Sequence, residues 1–226
     1  ILPTFPEING DSRRMNCNHG VATILDAYNK GMRSFDLAGA YKVCKAGITE
    51  KTLAPWSSKP AGVLDQFYKE KGYFPALATG EEETVPEVHS WERRQPVAVT
   101  LGTVFDEWCL GNIAKALGNN TDANYFLDRS LNYHKIFNEK TRFFHPKDAQ
   151  GNFVEPFDYR YSSGIGARDA YDENNGWVYR WDVLHNISDL VKMMGGQKAF
   201  VNELELMFST PLGKGRPDFY HQFGDH

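Results

Sequence analysis

The chain has 226 residues, 41% of them hydrophobic, enough to bury a sizeable core and suited to one domain or a large part of one. Its formal net charge of -4, without any run of lysines or arginines interleaved with aromatics, argues against nucleic acid and against an anionic membrane surface as partners. No apolar stretch approaches the ~20 residues needed to span a bilayer, so no membrane insertion is expected. Three scattered cysteines, Cys17, Cys44 and Cys109, suit neither a disulfide framework nor a zinc site.

The start, Ile1-Leu-Pro-Thr-Phe-Pro6, is neither a methionine nor a signal peptide, and the end, His221-Gln-Phe-Gly-Asp-His226, has no closing element. A chain cut from something longer is the expectation. Residues 1–18 form a Pro- and Gly-punctuated lead-in with a turn at Asn9-Gly-Asp-Ser12. Helical spacing then runs through Val21, Ile24, Leu25 and Tyr28 to Gly31, and resumes with Leu37, Ala40, Tyr41 and Cys44, which predicts a helix pair with a short connection. Four prolines interrupt residues 45–95, where Val63 to Lys69 is the best helical fragment; a long excursion of this kind suits a lid or binding loop.

A long helix is predicted from Pro96, with Val97, Leu101, Val104, Phe105 and Trp108 on one face and Leu117-Gly118 as its stop. Thr121 or Asp122 is expected to cap its partner, in which Phe126, Ser130, Tyr133 and Phe137 form one row. Residues 138–171 are irregular. From Asp172 a further helix is predicted, carrying Trp181, Leu184, Ile187, Val191 and Met194 up to Gly195-Gly196, after which Lys198 to Phe208 pairs with it. With no convincing strand pattern and no close repeat, the fold class is all-α: helical hairpins with long loops, suited to a toroid or barrel of helices.

Chemistry concentrates at the start of the predicted helix, in Asp172-Glu-Asn-Asn-Gly-Trp177 with Tyr179, Trp181 and His185. In a helix Glu173 and Trp177 would lie one turn apart. A carboxyl held against an indole has its charged form disfavoured, as a general acid requires, although a helix N-terminus favours the ionised form and a plain cap is the simpler role. Asp106 and Glu107 point to different faces of their helix, so that either one faces a polar cavity or both are solvated. Met15-Asn-Cys-Asn-His19 is a second amide-rich cluster, for which a plain cap by Asn18 is the simpler reading. Glu81-Glu-Glu83 reads as a solvated loop, and the sequon Asn186-Ile-Ser188 as lying inside a helix. Aromatics at 14% beside 24% charged residues suit a sugar cleft, though any core uses aromatics as well.

Taken in series, Met15-Asn-Cys-Asn-His19, Phe105-Asp-Glu-Trp-Cys109 with Ala114-Lys-Ala-Leu-Gly118, Val154-Glu-Pro-Phe-Asp158, Glu173-Asn-Asn-Gly-Trp177 with Tyr179, Trp181 and His185, and Met194-Gly-Gly196 resemble glycoside hydrolase family 92 over essentially the whole chain. The resemblance implies an (α/α)6 catalytic barrel preceded by a β-sandwich. Residues 1–226 would then be a partial barrel lacking that sandwich and the barrel's C-terminal part. It implies exo-acting, inverting, calcium-dependent α-mannosidases, mostly bacterial and exported to the periplasm or cell surface, acting on mannans and N-glycans. Glu173 falls on the family's acid position, with Asn18, His19, Asp106, Asn175 and Trp177 as substrate-binding residues. No metal ligand falls within the chain: the calcium ligands and the catalytic base are expected in the remainder of the parent chain, after His226. Asn174, Gly176 and Val178 stand where the family commonly has Gly, Ala and Gln, which leaves the linkage open, with α-1,2 the first choice. The partner implied is a mannose-containing oligosaccharide. The alternative is a carbohydrate-binding or structural helical domain without turnover.

Overall fold

The computed structural model describes residues 6–7, 10–11, 17–159, 170–172 and 174–210. Two-residue strands β1 (Pro6–Glu7) and β2 (Gly10–Asp11) pair antiparallel, so Gly10 and Asp11, expected within a turn, belong to a strand. Helix α1 (Gly20–Asn29) packs on α2 (Leu37–Thr49). Asp36 caps α2 by accepting the Gly39 N–H at 2.9 Å. The fragment expected from Val63 is helix α3 (Val63–Lys71), closed by Gly72 in the left-handed region.

Helix α4 (Pro96–Ala116) is the member around which the others assemble. It buries residues on nearly every face rather than on the single row that periodicity suggested, as a helix apolar all round must. Val97, Leu101 and Val104 meet Tyr133, Ile136, Phe144, Tyr171 and Met194; Cys109, Leu110 and Ile113 meet Val21, Leu25, Cys44 and Phe126; Val99 meets Leu64, Tyr68 and Phe74. Its hairpin partner α5 (Asn120–Arg129) is capped by Asn119, which accepts the Asp122 N–H at 3.2 Å. The expected cap, Asp122, instead binds Tyr41 and Lys45 of α2. A 3-10 turn (Asn132–Ile136) and the antiparallel strands β3 (Phe137–Asn138) and β4 (Phe143–Phe144) end the row that was expected to continue the helix to Phe137.

The helix predicted from Asp172 to Met194 is in fact two. Helix α6 (Gly176–Tyr179) is one turn capped by Asn175, and α7 (Ile187–Met193) starts after Asn186. The Val183 N–H bonds to the Trp181 carbonyl between them, and Leu184 is 64% exposed. The sequon therefore sits at a helix start, with the Asn186 amide donating to the Tyr133 hydroxyl at 3.0 Å. Gly195 and Gly196, both at positive φ, turn the chain into α8 (Gln197–Ser209), which packs on α7. The described residues are thus mostly helical, in the hairpin pairs α1–α2, α4–α5 and α7–α8.

Candidate active site

The site grows from one carboxylate on α4. Asp106 is 1% exposed, and the start of α1 supplies its partners. Its Oδ2 accepts the Asn18 N–H at 2.6 Å, and its Oδ1 lies 2.7 Å from His19 Nδ1. Helix α1 has no side-chain cap of its own, so the Asp106 carboxylate does for Asn18 what a cap would do. This close approach needs Gly102, one turn earlier on α4: a Cβ there would stand 2.2 Å from Cys17 Sγ and 3.3 Å from the His19 ring. Glu107, on another face of α4, is equally buried, and its carboxylate meets Arg129 Nε at 2.6 Å and the Tyr68 hydroxyl at 2.9 Å. Neither acid is a solvated surface charge. Glu83, expected in a solvated loop, is likewise paired, accepting from Arg94 Nε at 2.5 Å and Nη2 at 2.8 Å.

Aromatic rings border the His19 imidazole. Phe105 meets it edge-on at 5.9 Å and stacks on Trp108 at 6.4 Å, and His185 lies 6.1 Å from each of those two rings. His185 Nε2 donates to the Ser130 carbonyl at 3.0 Å; its enclosed Nδ1 has no partner among the described residues, and burial lowers its pKa.

Residues 170–172 and 174–182 flank the chain position of the expected acid. Tyr171 is fully buried, donates to the Phe144 carbonyl at 2.7 Å and stacks on Tyr179, whose hydroxyl donates to the Asp172 carbonyl at 3.0 Å. Asn175 is fully buried, and its side chain accepts the Trp177 N–H at 3.0 Å. Trp177 is half-buried, 6.2 Å from the Phe143 ring. Arg180 is locked by Glu203 at 3.1 Å and the Arg142 carbonyl at 3.3 Å. These contacts anchor Tyr171, Asn175, Tyr179 and Arg180. Asn175 is extended and α6 opens only at Gly176, so the helix expected from Asp172 does not include Asn174 or Asn175; the expected register of Glu173 with Trp177 lies outside the described residues.

Charge at the site is acidic. Burial raises the Cys17 thiol well above its ordinary range, and the charges of Asp106, Asp182 and Asp172 push it the same way. Burial also raises Asp182, with the His19 charge partly opposing it. Burial works against the imidazolium of His19, but the hydrogen bond and charge of Asp106, with Asp182 adding, outweigh it and raise the pKa. His19, half exposed at 54%, is therefore a cation candidate held by the Asp106 carboxylate.

The structure brings His19 and Asp106 into direct contact, with Asn18 joining through its backbone; the Asn18 amide turns to α2, where it packs against Gly47. Asn175 and Trp177 stand on the 174–182 segment, where Trp177 meets Phe143, and Glu173 lies outside the described residues. Sequence reading passed over Asp182. The signal available was an acid directly between Trp181 and the fully buried Val183. A separate cavity of about 440 Å³ lies beyond Tyr171, lined by the 76–83 loop, His89, Arg93, Arg94 and Phe157; none of the described candidate residues borders it. Among the described residues, no group of three His, Cys, Asp or Glu side chains is placed to hold a metal, and no helix is long and apolar enough to cross a membrane.

Comparison with known proteins decides what this cluster belongs to. Residues 1–224 match the glycosyl hydrolase family 92 catalytic domain. The chain belongs to glycoside hydrolase family 92. An uncharacterized secreted glycosidase of Arthroderma benhamiae is 26% identical to this family 92 chain in a 218-residue alignment that covers 84% of the chain and 26% of that protein. A family 92 inverting mannosidase of Bacteroides thetaiotaomicron superposes with a TM-score of 0.72 at 24% identity, covering 96% of this chain and 27% of that one. A family 92 α-mannosidase of the same organism, solved with mannoimidazole, gives 0.74 at 22% identity, covering 96% and 26%. The two structures share the fold with this chain, which spans about a quarter of the length of each of these relatives.

Proposed function

We propose that these residues are part of the (α/α)6 catalytic domain of an exo-acting, inverting α-mannosidase that removes terminal α-linked mannose from mannans or N-glycans. A β-sandwich would precede this part, and the remaining barrel helices would follow it. One observation carries the reading: in a family 92 domain, the buried Asp106 carboxylate holds the His19 imidazole, and that ring stands against the Phe105–Trp108 ring pair. A pyranose presents hydroxyls to carboxylates and imidazole and an apolar C–H face to rings, and these are the groups assembled.

Glu173 is the general acid in this reading. Asp172 precedes it in the chain, and like charges nearby disfavour a further ionisation, which keeps an acid protonated for the leaving oxygen. Inversion requires a second carboxylate ~6.5–9.5 Å away to activate water on the opposite face of the sugar. That base belongs, in this proposal, to the parent chain after residue 226. Calcium, when bound, would neutralise charge and orient sugar hydroxyls; the described residues do not by themselves form a site for it. Export from the cell accords with the secreted relative. Asn18, His19, Asp106, Asn175 and Trp177 bind or position the sugar, Asn175 by holding the 172–177 segment and Asp106 by holding His19.

The test is turnover of α-1,2-mannobiose by the parent protein, with calcium and with chelator, the first-formed anomer being read by NMR. Calcium-dependent release of β-mannose is expected. Replacement Glu173→Gln should cost about 10²- to 10⁴-fold on mannobiose and far less on aryl mannosides, whose leaving groups need little protonation. Equal losses on both would remove Glu173 from the acid role, and sugar binding without turnover by the wild-type parent would favour a binding domain.

A further inference from the structure

The part of the 45–95 excursion that joins α3 to α4 forms one wall of the cavity beyond Tyr171, whose volume is about 440 Å³. That volume falls within the ~300–1,000 Å³ of small-molecule sites. Two rings line the opposite side: Phe157 and Tyr171 stand 5.9 Å apart, and Phe157 is stacked on His145 at 4.7 Å. The loop wall is fixed by its own contacts. Arg94 donates to Glu83 through Nε and Nη2 and to the Pro75 carbonyl through Nη1 at 3.2 Å, so this buried guanidinium is neutralised within the wall. Glu81 and Asp158 also border the cavity, which works against an anionic ligand. His89 supplies a directed polar group. Its Nδ1 accepts the Trp91 and Glu92 N–H groups, both at 3.2 Å, so in the neutral ring the proton sits on Nε2, and that N–H has no partner among the described residues. Trp56, 39% exposed, lies edge-on to the same ring at 5.1 Å. Trp56 and Arg93 hold left-handed backbone at φ 55° and 56°, a conformation that bulky residues keep where a site is held in shape.

An uncharged ligand with an apolar face and acceptor oxygens fits two rings and one N–H donor, and a pyranose is such a ligand. Tyr171 precedes the expected acid by two positions, while His19 and Asp106, assigned above to the terminal mannose, do not border the cavity. Building on the mannosidase reading, we propose that this cavity holds the first sugar on the leaving-group side of the scissile bond, its C–H face against Phe157 and Tyr171 and one of its hydroxyls accepting from His89 Nε2. The loop wall then selects among linkages, because the position of the scissile bond on that sugar decides which hydroxyl meets His89.

The experiment sets full-length wild type, His89→Asn and Ser90→Trp against α-mannosyl fluoride, which carries no leaving-group sugar, and the α-1,2-, α-1,3- and α-1,6-linked mannobioses. Asparagine keeps an acceptor for the Trp91 and Glu92 N–H groups while removing the ring and its donor. Tryptophan in place of Ser90, an exposed residue of the cavity wall, fills the cavity from its rim. On the mannobiose that wild type cleaves best, His89→Asn should lower kcat/KM about threefold to tenfold and Ser90→Trp about tenfold to a hundredfold, both mainly through KM, while the fluoride stays within about twofold of wild type. Read as the ratio of the two substrates on one preparation, the result is independent of the folded fraction. His89→Asn should also change the order of preference among the three mannobioses. Equal losses on fluoride and mannobiose, unchanged kinetics on mannobiose, or a wild type that hydrolyses the fluoride but no mannobiose would overturn the subsite and leave the mannosidase reading standing. Wild type inert towards all four substrates would sink the mannosidase reading itself, and the subsite with it.

Discussion

Asp106 and Glu107 are neighbours in sequence and differ by one methylene, yet they do unrelated work. A helix turns about 100° per residue, so adjacent carboxylates on α4 meet different elements. Asp106 meets the start of α1 and orients His19; Glu107 meets Arg129 and Tyr68 and ties helices together. Asp106→Asn should therefore lower the His19 pKa, seen as an upfield-pH shift of its NMR titration. The raised His19 pKa stabilises the fold fully below its ordinary value of 6.5 and loses that contribution as pH rises through the folded value. The Tm difference between wild type and Asp106→Asn should accordingly be widest at acid pH and narrow towards alkaline pH. A pH-independent gap would show that Asp106 acts only through the Asn18 N–H.

At the scale of elements, the stretch 172–194 shows where periodicity misleads. Trp181, Leu184, Ile187 and Met194 fit a helical row, but Leu184 and Ile187 are exposed, and the chain turns between Tyr179 and Ile187. Asn175 and Asn186 were the readable warnings, since amide side chains favour helix starts over interiors. Asn175 is now the more consequential of the two, because it is buried and caps the only turn of α6. Asn175→Ala in the parent protein should cost about 1–2 kcal/mol in denaturant unfolding and lower turnover more than its stability loss explains, as the 172–177 segment loses its anchor. Retained turnover with an unaltered Tm would mean that α6 forms without the cap. Elsewhere the local signals were sufficient: Pro96 opens α4, Gly72 closes α3, and Gly195-Gly196 separates α7 from α8.

Over the whole molecule, α4 joins three apolar clusters, and the Glu107–Arg129–Tyr68 group links α3, α4 and α5 through its buried middle. Burial pushes Glu107 up to about 7 against the opposing Arg129 charge. A carboxyl whose folded pKa lies above its ordinary value of 4.5 binds protons better folded than unfolded, so its contribution to stability falls as pH rises from about 4.5 to about 7. Glu107→Gln should flatten this part of the profile of Tm against pH. It should also destabilise by about 3–5 kcal/mol near neutral pH by leaving Arg129 without its partner. An unchanged profile would place the titration elsewhere.

What the sequence by itself determined were the helices with strong local signals, the mostly helical character, the family, read from motifs in their order, and the stretches that carry polar and aromatic side chains. Each of these is written within a few turns of chain, where periodicity, caps and glycines act directly. Tertiary structure alone decided that both acids of α4 are buried, that the Asp106 carboxylate reaches His19 across 87 positions, and that Asn18 contributes its backbone while its amide turns to α2. Contacts of that span depend on how helices pack. Whether a carboxylate is solvated, paired or poised for a ligand follows from the donors and the water that packing leaves around it.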